Sequence, residues 1–183
     1  MLHDLKFVDL NKLNYLKYRN EISELYIRAF TTGEYAQFLD KVSVEKTMDE
    51  LFNFVSGILV QYKNRIIGVL IASPLSEHTD FPHLEFKDFD DDKTIYINEI
   101  IVDSDFRGKG IAKTMINKFL KGDIDNYHFA VIRVWNKNIP AITLYKKMDF
   151  EPIAYITQTK LKTKGDEFQM DKIYLYKKLI TDD

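Results

Sequence analysis

The sequence predicts an α/β fold, a mixed and partly parallel central sheet flanked by helices on both faces. Three observations carry it. The run "TIYINEIIV", Thr94 to Val102, is strongly β-branched and too apolar on both faces for a sheet edge, so it is central. Beyond it strands and helices alternate, which implies parallel pairing through right-handed crossovers. Before it, two amphipathic helical stripes precede a hairpin. With 183 residues, 45% hydrophobic content and one even texture, residues 1–183 read as a single globular domain.

"EISELYIRAF" sets Ile22, Leu25, Tyr26, Ala29 and Phe30 on one helical stripe. "SVEKTMDELFNF" follows as a second helix, with Ser43 as its N-cap, Val44, Met48, Leu51, Phe52 and Val55 turned to the core, and Gly57 at its end. "GILVQYKNRIIGVLIASPL" is a hairpin about Lys63 and Asn64. From Glu77 to Asp92 the texture becomes "EHTDFPHLEFKDFDDD", with seven acidic residues and one lysine, which suits an exposed loop. After the central strand, "GIAKTMINKFLKG" buries Ile111, Met115, Ile116 and Phe119 along one helix face and stops at Gly122. "HFAVIRVW" is another buried strand and "IPAITLYKKM" a helix opened by Pro140. "FEPIAYITQ" and "MDKIYLYKKL" are two late strands.

Composition narrows the chemistry. The 26 basic and 28 acidic residues leave a net charge of −2, so no global field draws nucleic acid or an anionic membrane surface. Without cysteine there is no disulfide, no thiolate metal site and no acyl-cysteine intermediate. The first twenty residues interrupt their apolar positions too often for a signal peptide, and no run approaches the ~18 apolar residues of a membrane span. The expectation is a cytoplasmic protein. His78, Asp80, His83 and Glu85 follow no recognised metal-ligand spacing, and no metal site is expected.

"VDSDFRGKGIAKTM", Val102 to Met115, runs from the central strand through a glycine-rich turn into a helix. Free backbone N–H groups and the positive end of the helix dipole would meet there, which suits a phosphate or pyrophosphate. Gly108 and Gly110 permit positive φ or close approach, and Arg107 and Lys109 add charge. A plain strand-to-helix turn with two solvated cations fits the same residues. The spacing matches neither the P-loop nor the three-glycine dinucleotide fingerprint.

The stretch "INEIIVDSDFRGKGIAKTMI" resembles the acetyl-CoA signature of the GNAT superfamily of N-acetyltransferases, through Arg107, Gly110 and Ala112. "VWNKNIPAITLYKKMDFEPI" is similar to a second motif of that family, at matching spacing and in the right order. With the hairpin before and the strands after, the likeness extends over nearly the whole chain, though its motifs occupy only Ile97 to Ile153. The resemblance implies a GNAT-like fold and transfer of an acetyl group from acetyl-CoA, as cosubstrate, to an amine by direct transfer in a ternary complex. It implies that the backbone of Arg107, Gly108, Lys109, Gly110, Ile111 and Ala112 holds the CoA pyrophosphate. The strand edge at Ile100, Ile101 and Val102 would bond the pantetheine arm. One departure is Asp149, where the family usually has glycine; aspartate tolerates the left-handed conformation that the turn requires.

Aminolysis of a thioester needs a neutral amine and a proton for the departing thiolate. By resemblance Tyr145 is the general acid, and a phenol of pKa near ~10 is protonated at neutral pH; a core aromatic on the stripe of Ala141, Leu144 and Met148 is the other reading. Glu99 lies within an apolar strand, where an unpaired carboxylate is costly to bury and so should face a cleft or a partner. The resemblance makes it the base, often acting through water; a satisfied structural carboxylate is the alternative. Alternation puts its neighbour Asn98 on the opposite side. Asn138 falls where the family's motif asparagine contacts the cofactor, with Asn136 as a helix cap, and the two roles remain interchangeable. Trp135 reads as core packing rather than a stacking platform.

The acidic loop could overhang the substrate mouth and favour a cationic amine, or simply be a solvated surface. Two other functions compete with acetyl transfer: a non-catalytic acyl-CoA-binding sensor on the same fold, and a phosphate-binding domain unrelated to CoA. The acceptor is a small-molecule or protein amine. The C-terminal "DKIYLYKKLI" offers an edge for a homodimer.

Overall fold

The computed structural model describes residues 4–32, 36–52, 56–82, 90–122, 124 and 126–179. Its elements in chain order are β1 (Leu5–Asn11), α1 (Lys12–Thr31), α2 (Lys41–Phe52), β2 (Ser56–Tyr62), β3 (Arg65–Pro74), β4 (Thr94–Val102), α3 (Ile111–Leu120), β5 (Phe129–Trp135), α4 (Ile139–Lys146), β6 (Glu151–Thr163) and β7 (Asp166–Lys178). The seven strands form one sheet in the order β1-β2-β3-β4-β5-β7-β6. Among the described residues only β4 and β5 pair in parallel. The long crossover between them carries α3, since a parallel pair cannot be joined by a tight turn.

The helices cover both faces, as expected. On one side α3 and α4 bury Ile111, Met115, Ile116, Phe119 and Tyr145 against Ile58, Leu70, Ile95, Ile97, Ile132 and Val134. On the other α1 and α2 bury Tyr15, Ile22, Leu25, Val44 and Met48 against Leu59, Val69, Ile71 and Ile101. Successive strand residues point to opposite faces, so β3 and β4 feed both cores at once. That is why their sequences are apolar throughout.

Several boundaries differ from the sequence reading. "LKFVDLN" is a strand pairing antiparallel with β2 at the sheet edge. Asn11, its last residue, accepts from the Leu13 N–H at 2.9 Å while Asn14 accepts from the Asn11 N–H at 2.9 Å, a reciprocal cap that starts α1 well before Glu21. Asp40, not Ser43, caps α2: its carboxylate accepts from the Ser43 backbone N–H at 3.0 Å and from the Ser43 hydroxyl. Gly57 is not a helix stop; it lies in β2, where a Cβ would meet the Leu70 carbonyl oxygen at 1.9 Å. Val55 lies outside the described residues, as does the side chain of Phe52. The hairpin turns at Lys63 and Asn64 with φ of 48° and 64°, matching the twist of its strands. Asp149 takes φ 63°, the left-handed conformation anticipated for it.

Candidate functional site

β4 and β5 pair only over Thr94–Ile97 and Phe129–Ile132, and beyond Ile97 they part. From Glu99 to Val102, β4 keeps its pairing with β3 on one side. Its other edge opens on a cavity of about 600 Å³ lined by Ile100, Ile101, Val102, Arg107, Gly108, Gly110, Ile111, Ala112, Asn138 and Tyr145, among others. The cavity therefore has a strand edge along one wall and a helix start at its end.

The helix start is built by backbone conformation. Gly108 and Gly110 take φ of 73° and 76°, and a Cβ on either would meet nothing within 4 Å. Glycine is required there by the chain's turn, and the space above it is open. Gly110 is the N-cap of α3 and supplies no side chain to its N–H groups, which keep the positive end of the dipole free for an anion. Asp103, only 6% exposed, fastens the turn: it pairs with Arg65 at 2.5 Å and Arg28 at 3.7 Å and accepts from the Asp105 N–H at 3.2 Å. Arg107 reaches back to donate from Nε to the Val102 carbonyl at 3.0 Å. Lys109 is the one sequence-nominated cradle residue that does not line the cavity; its ammonium donates to the Asp105 carbonyl at 2.6 Å and lies over the Phe106 ring.

Asn138 is the N-cap of α4, accepting from the Ala141 N–H at 3.3 Å, so it and not Asn136 is the helix cap. Asn136 donates its backbone N–H to Asp171, and its side-chain oxygen is buried without a hydrogen-bond partner among the described residues. Tyr145, 6% exposed, lines the cavity from the α3/α4 side. Burial first, then the charge of Glu99, raises its phenol above the usual range, so it is firmly protonated at neutral pH.

A β-bulge decides where Glu99 points. Ile71 pairs with Glu99 but Ala72 with Ile97, so Asn98 is the extra residue. Ser73 and Ile71 share a face of β3, and Asn98 and Glu99 both turn to it, contrary to simple alternation. Asn98 accepts from the Ser73 hydroxyl at 2.9 Å and lies 3.0 Å from the His78 ring nitrogen. Glu99 accepts a hydrogen bond from the Tyr26 hydroxyl of α1. Burial pushes the Glu99 carboxyl up to about 7, against the pull of Lys172, Arg133, Lys160 and the Tyr26 bond. Tyr145 and Glu99 thus come from opposite faces, close enough for the charge of Glu99 to act on the Tyr145 phenol.

Tyr26, Arg133, Lys160 and Lys172 were not nominated by the sequence. Arg133 stands in an apolar strand, the same signal that singled out Glu99; the two lysines sit on strands of alternating polarity, where nothing marks them. Arg133 donates to the Tyr174 hydroxyl at 3.1 Å and to Asp80 at 3.4 Å. Burial pulls Lys172 down to about 8, helped by Arg133 and Lys160. Part of the acidic segment is packed rather than solvated, since Phe81 is buried 5.1 Å from the Tyr174 ring. Residues 83–89, including His83 and Glu85, lie outside the described residues. No cluster suited to a metal ion occurs among the described residues, and no described helix is long and apolar enough to cross a membrane.

The model of the GNAT acetyltransferase family matches residues 17–150. No curated protein matches the chain by sequence. Among solved structures, an acetyltransferase of Acinetobacter baylyi superposes with a TM-score of 0.70 at 18% identity, over 96% of this chain and 92% of that one. An acetyltransferase of Salmonella typhimurium, solved with its cofactor acetyl-CoA, gives 0.66 at 14% identity over 98% and 96%. NAA60 of Arabidopsis thaliana, in complex with a bisubstrate analogue, gives 0.67 at 18% over 97% and 99%. At these identities the structures speak for the fold, and the family match for the chemistry.

Proposed function

From the premise that this chain belongs to the GNAT acetyltransferase family, we propose that it is an acetyl-CoA-dependent N-acetyltransferase working by direct transfer to an amine, with Glu99 as base and Tyr145 as acid. The observation that carries the reading is the convergence, at the gap between β4 and β5, of an open strand edge, an uncapped helix start and Tyr145 in one cavity, with the Glu99 carboxylate close enough to act on that phenol. The residues present fit the cosubstrate. Gly108, Gly110, Ile111 and Ala112 line the cavity, with open space beside both glycines, which suits a pyrophosphate held on backbone N–H groups, and the edge of β4 beyond Ile97 offers amide partners to a pantetheine arm.

Acetyl-CoA supplies a thioester carbonyl. Glu99, half ionised near neutral pH, takes the proton of the attacking amine, directly or through water, and holds the amine close to it. The C–N bond forms as the C–S bond breaks, and Tyr145 gives its proton to the departing sulfur. Both residues then re-equilibrate with solvent. The absence of cysteine accords with direct transfer.

The test is acetyl-CoA calorimetry together with CoA release in the presence of amines. Tyr145→Phe should retain acetyl-CoA affinity and lose about 10²-fold in kcat, within the usual range for a proton donor. Unchanged turnover would remove Tyr145 from the chemistry, and failure of the wild type to bind acetyl-CoA would remove the reading.

A further inference from the structure

The face of the sheet that carries Glu99 continues across the gap onto β5, β7 and β6. Val131 pairs with Tyr96 of β4, and Arg133 is two residues beyond it on the same face. Arg133 pairs with Tyr174, and Lys172 lies two residues from Tyr174 on β7, so it shares that face. Lys160 pairs with Phe168, four residues from Lys172, and falls on it too. Three cations from three neighbouring strands therefore look toward one carboxylate, and all three are close enough to act on its ionisation. Next to Lys160, the Phe38 N–H donates to the Leu161 carbonyl of β6 at 2.8 Å.

The charges do not balance. Asp80 takes Arg133. Lys160 and Lys172, both half-buried, have no ion pair or hydrogen bond among the described residues; Glu99 is the opposing charge that acts on both, and Asp80, which also acts on Lys172, is already paired with Arg133. When Glu99 accepts the amine's proton, the charge opposing both lysines is gone, and Lys172 keeps only a share of Asp80, which Arg133 already holds. Half-buried ammonium groups without a counter-ion are costly, and an arriving anion would relieve them. A polycationic acceptor would meet like charge on three sides.

Building on the proposed N-acetyltransferase activity, we propose that the acceptor is an anionic amine, whose carboxylate or phosphate is held by Lys172, with Lys160 and Arg133 beside it, while its amino group faces Glu99. This reverses the preference that the acidic segment suggested. Among the described residues of that segment, Asp80 is the acidic side chain that reaches these cations, and it is occupied in pairing Arg133.

The experiment is CoA release by the full chain at pH 7.5 with primary amines in matched sets. Each set keeps one skeleton (two-carbon, five-carbon or phenethyl) and varies its far end among carboxylate, phosphate, hydroxyl and a second ammonium. Anion-ended members should lead their hydroxyl-ended partners by about tenfold or more in kcat/KM, the scale of one charge-assisted contact. Which anion leads identifies the group. Lys172→Met should collapse that ratio about tenfold and Lys160→Met less, with Lys172→Arg restoring most of it. Using the ratio cancels any change in Glu99 ionisation, and acetyl-CoA affinity checks that each variant is folded. Equal or greater turnover of hydroxyl- or ammonium-ended amines, or a ratio unmoved by Lys172→Met, would overturn this inference and leave the acetyltransferase reading standing. No CoA release from any amine, with acetyl-CoA bound, would overturn both.

Discussion

The cradle at the start of α3 and the cleft around Glu99 flank the same gap in the sheet, yet they are made of different material. The cradle is backbone from one short stretch: two glycines at positive φ, an uncapped helix start and a buried aspartate that locks the turn. The cleft is side chains from β4, β5, β6, β7 and α1, far apart in the chain. Backbone can recognise what every member of a family shares, on the proposed reading a pyrophosphate, and does so with little dependence on side-chain identity. Side chains gathered from five elements can be changed one at a time, so that is where the proposed function puts selectivity for the acceptor.

The widest separation between the two regions should come from Glu99→Gln. It removes the proposed base and leaves the cradle untouched, so kcat should fall by about 10²–10³ with acetyl-CoA affinity unchanged. The same variant should be more stable than wild type in alkaline solution. The folded-state pKa of Glu99 is raised to about 7 from an ordinary 4.5, so its contribution is fully favourable below about pH 4.5 and is lost as pH rises through 7. Glutamine, which does not ionise, escapes that loss; a gain on the order of 2 kcal/mol at pH 8.5, absent at pH 4.5, is expected in urea melts. Equal stability at pH 8.5 would mean that the carboxylate is better solvated than its surroundings indicate.

Gly110→Trp attacks the other region. No protein atom lies where its side chain would begin, so the fold should survive at the cost of about 1–2 kcal/mol for a left-handed non-glycine residue. Acetyl-CoA affinity should nonetheless fall at least about a hundredfold by calorimetry, because the indole fills the cradle. If both variants lost affinity and turnover together, the separation drawn here between a shared backbone site and an adjustable side-chain site would fail.

The same difference in material governs what the sequence reveals. The cradle is legible because its constraints are local: a strand, glycines at fixed spacing and a helix follow one another in a single stretch. The central strand, the flanking helices and the left-handed Asp149 are legible for the same reason. β1 is not, because a short edge strand with Lys6 and Asp9 among its apolar residues carries no strong period, and its partner lies some fifty residues on. The bulge at Asn98 is equally hidden: strict alternation separates Asn98 from Glu99, and only pairing with β3 reveals the inserted residue. Arg133, Lys160 and Lys172 converge through the antiparallel registers of β5, β7 and β6, a juxtaposition that no short window contains.

The smallest of these effects falls at the boundary of the cleft, on Tyr26. Its hydroxyl donates to Glu99 and so favours the carboxylate, opposing the burial that disfavours it. Tyr26→Phe removes the donor and keeps the ring, which packs 4.7 Å from Phe30. The pKa of Glu99 should then move further up. Because the base must be ionised to act, the acidic limb of the kcat–pH profile, expected near 7 in the wild type, should shift to higher pH. Turnover at pH 6.5 should drop by about two- to threefold, consistent with losing one hydrogen bond to a charged group that solvent partly replaces. Well above the shifted limb the two enzymes should converge, since Glu99 is ionised in both. A uniform loss across the whole profile would instead assign Tyr26 to placing the acceptor, and an unchanged limb would show that water takes over the bond that the hydroxyl gives up.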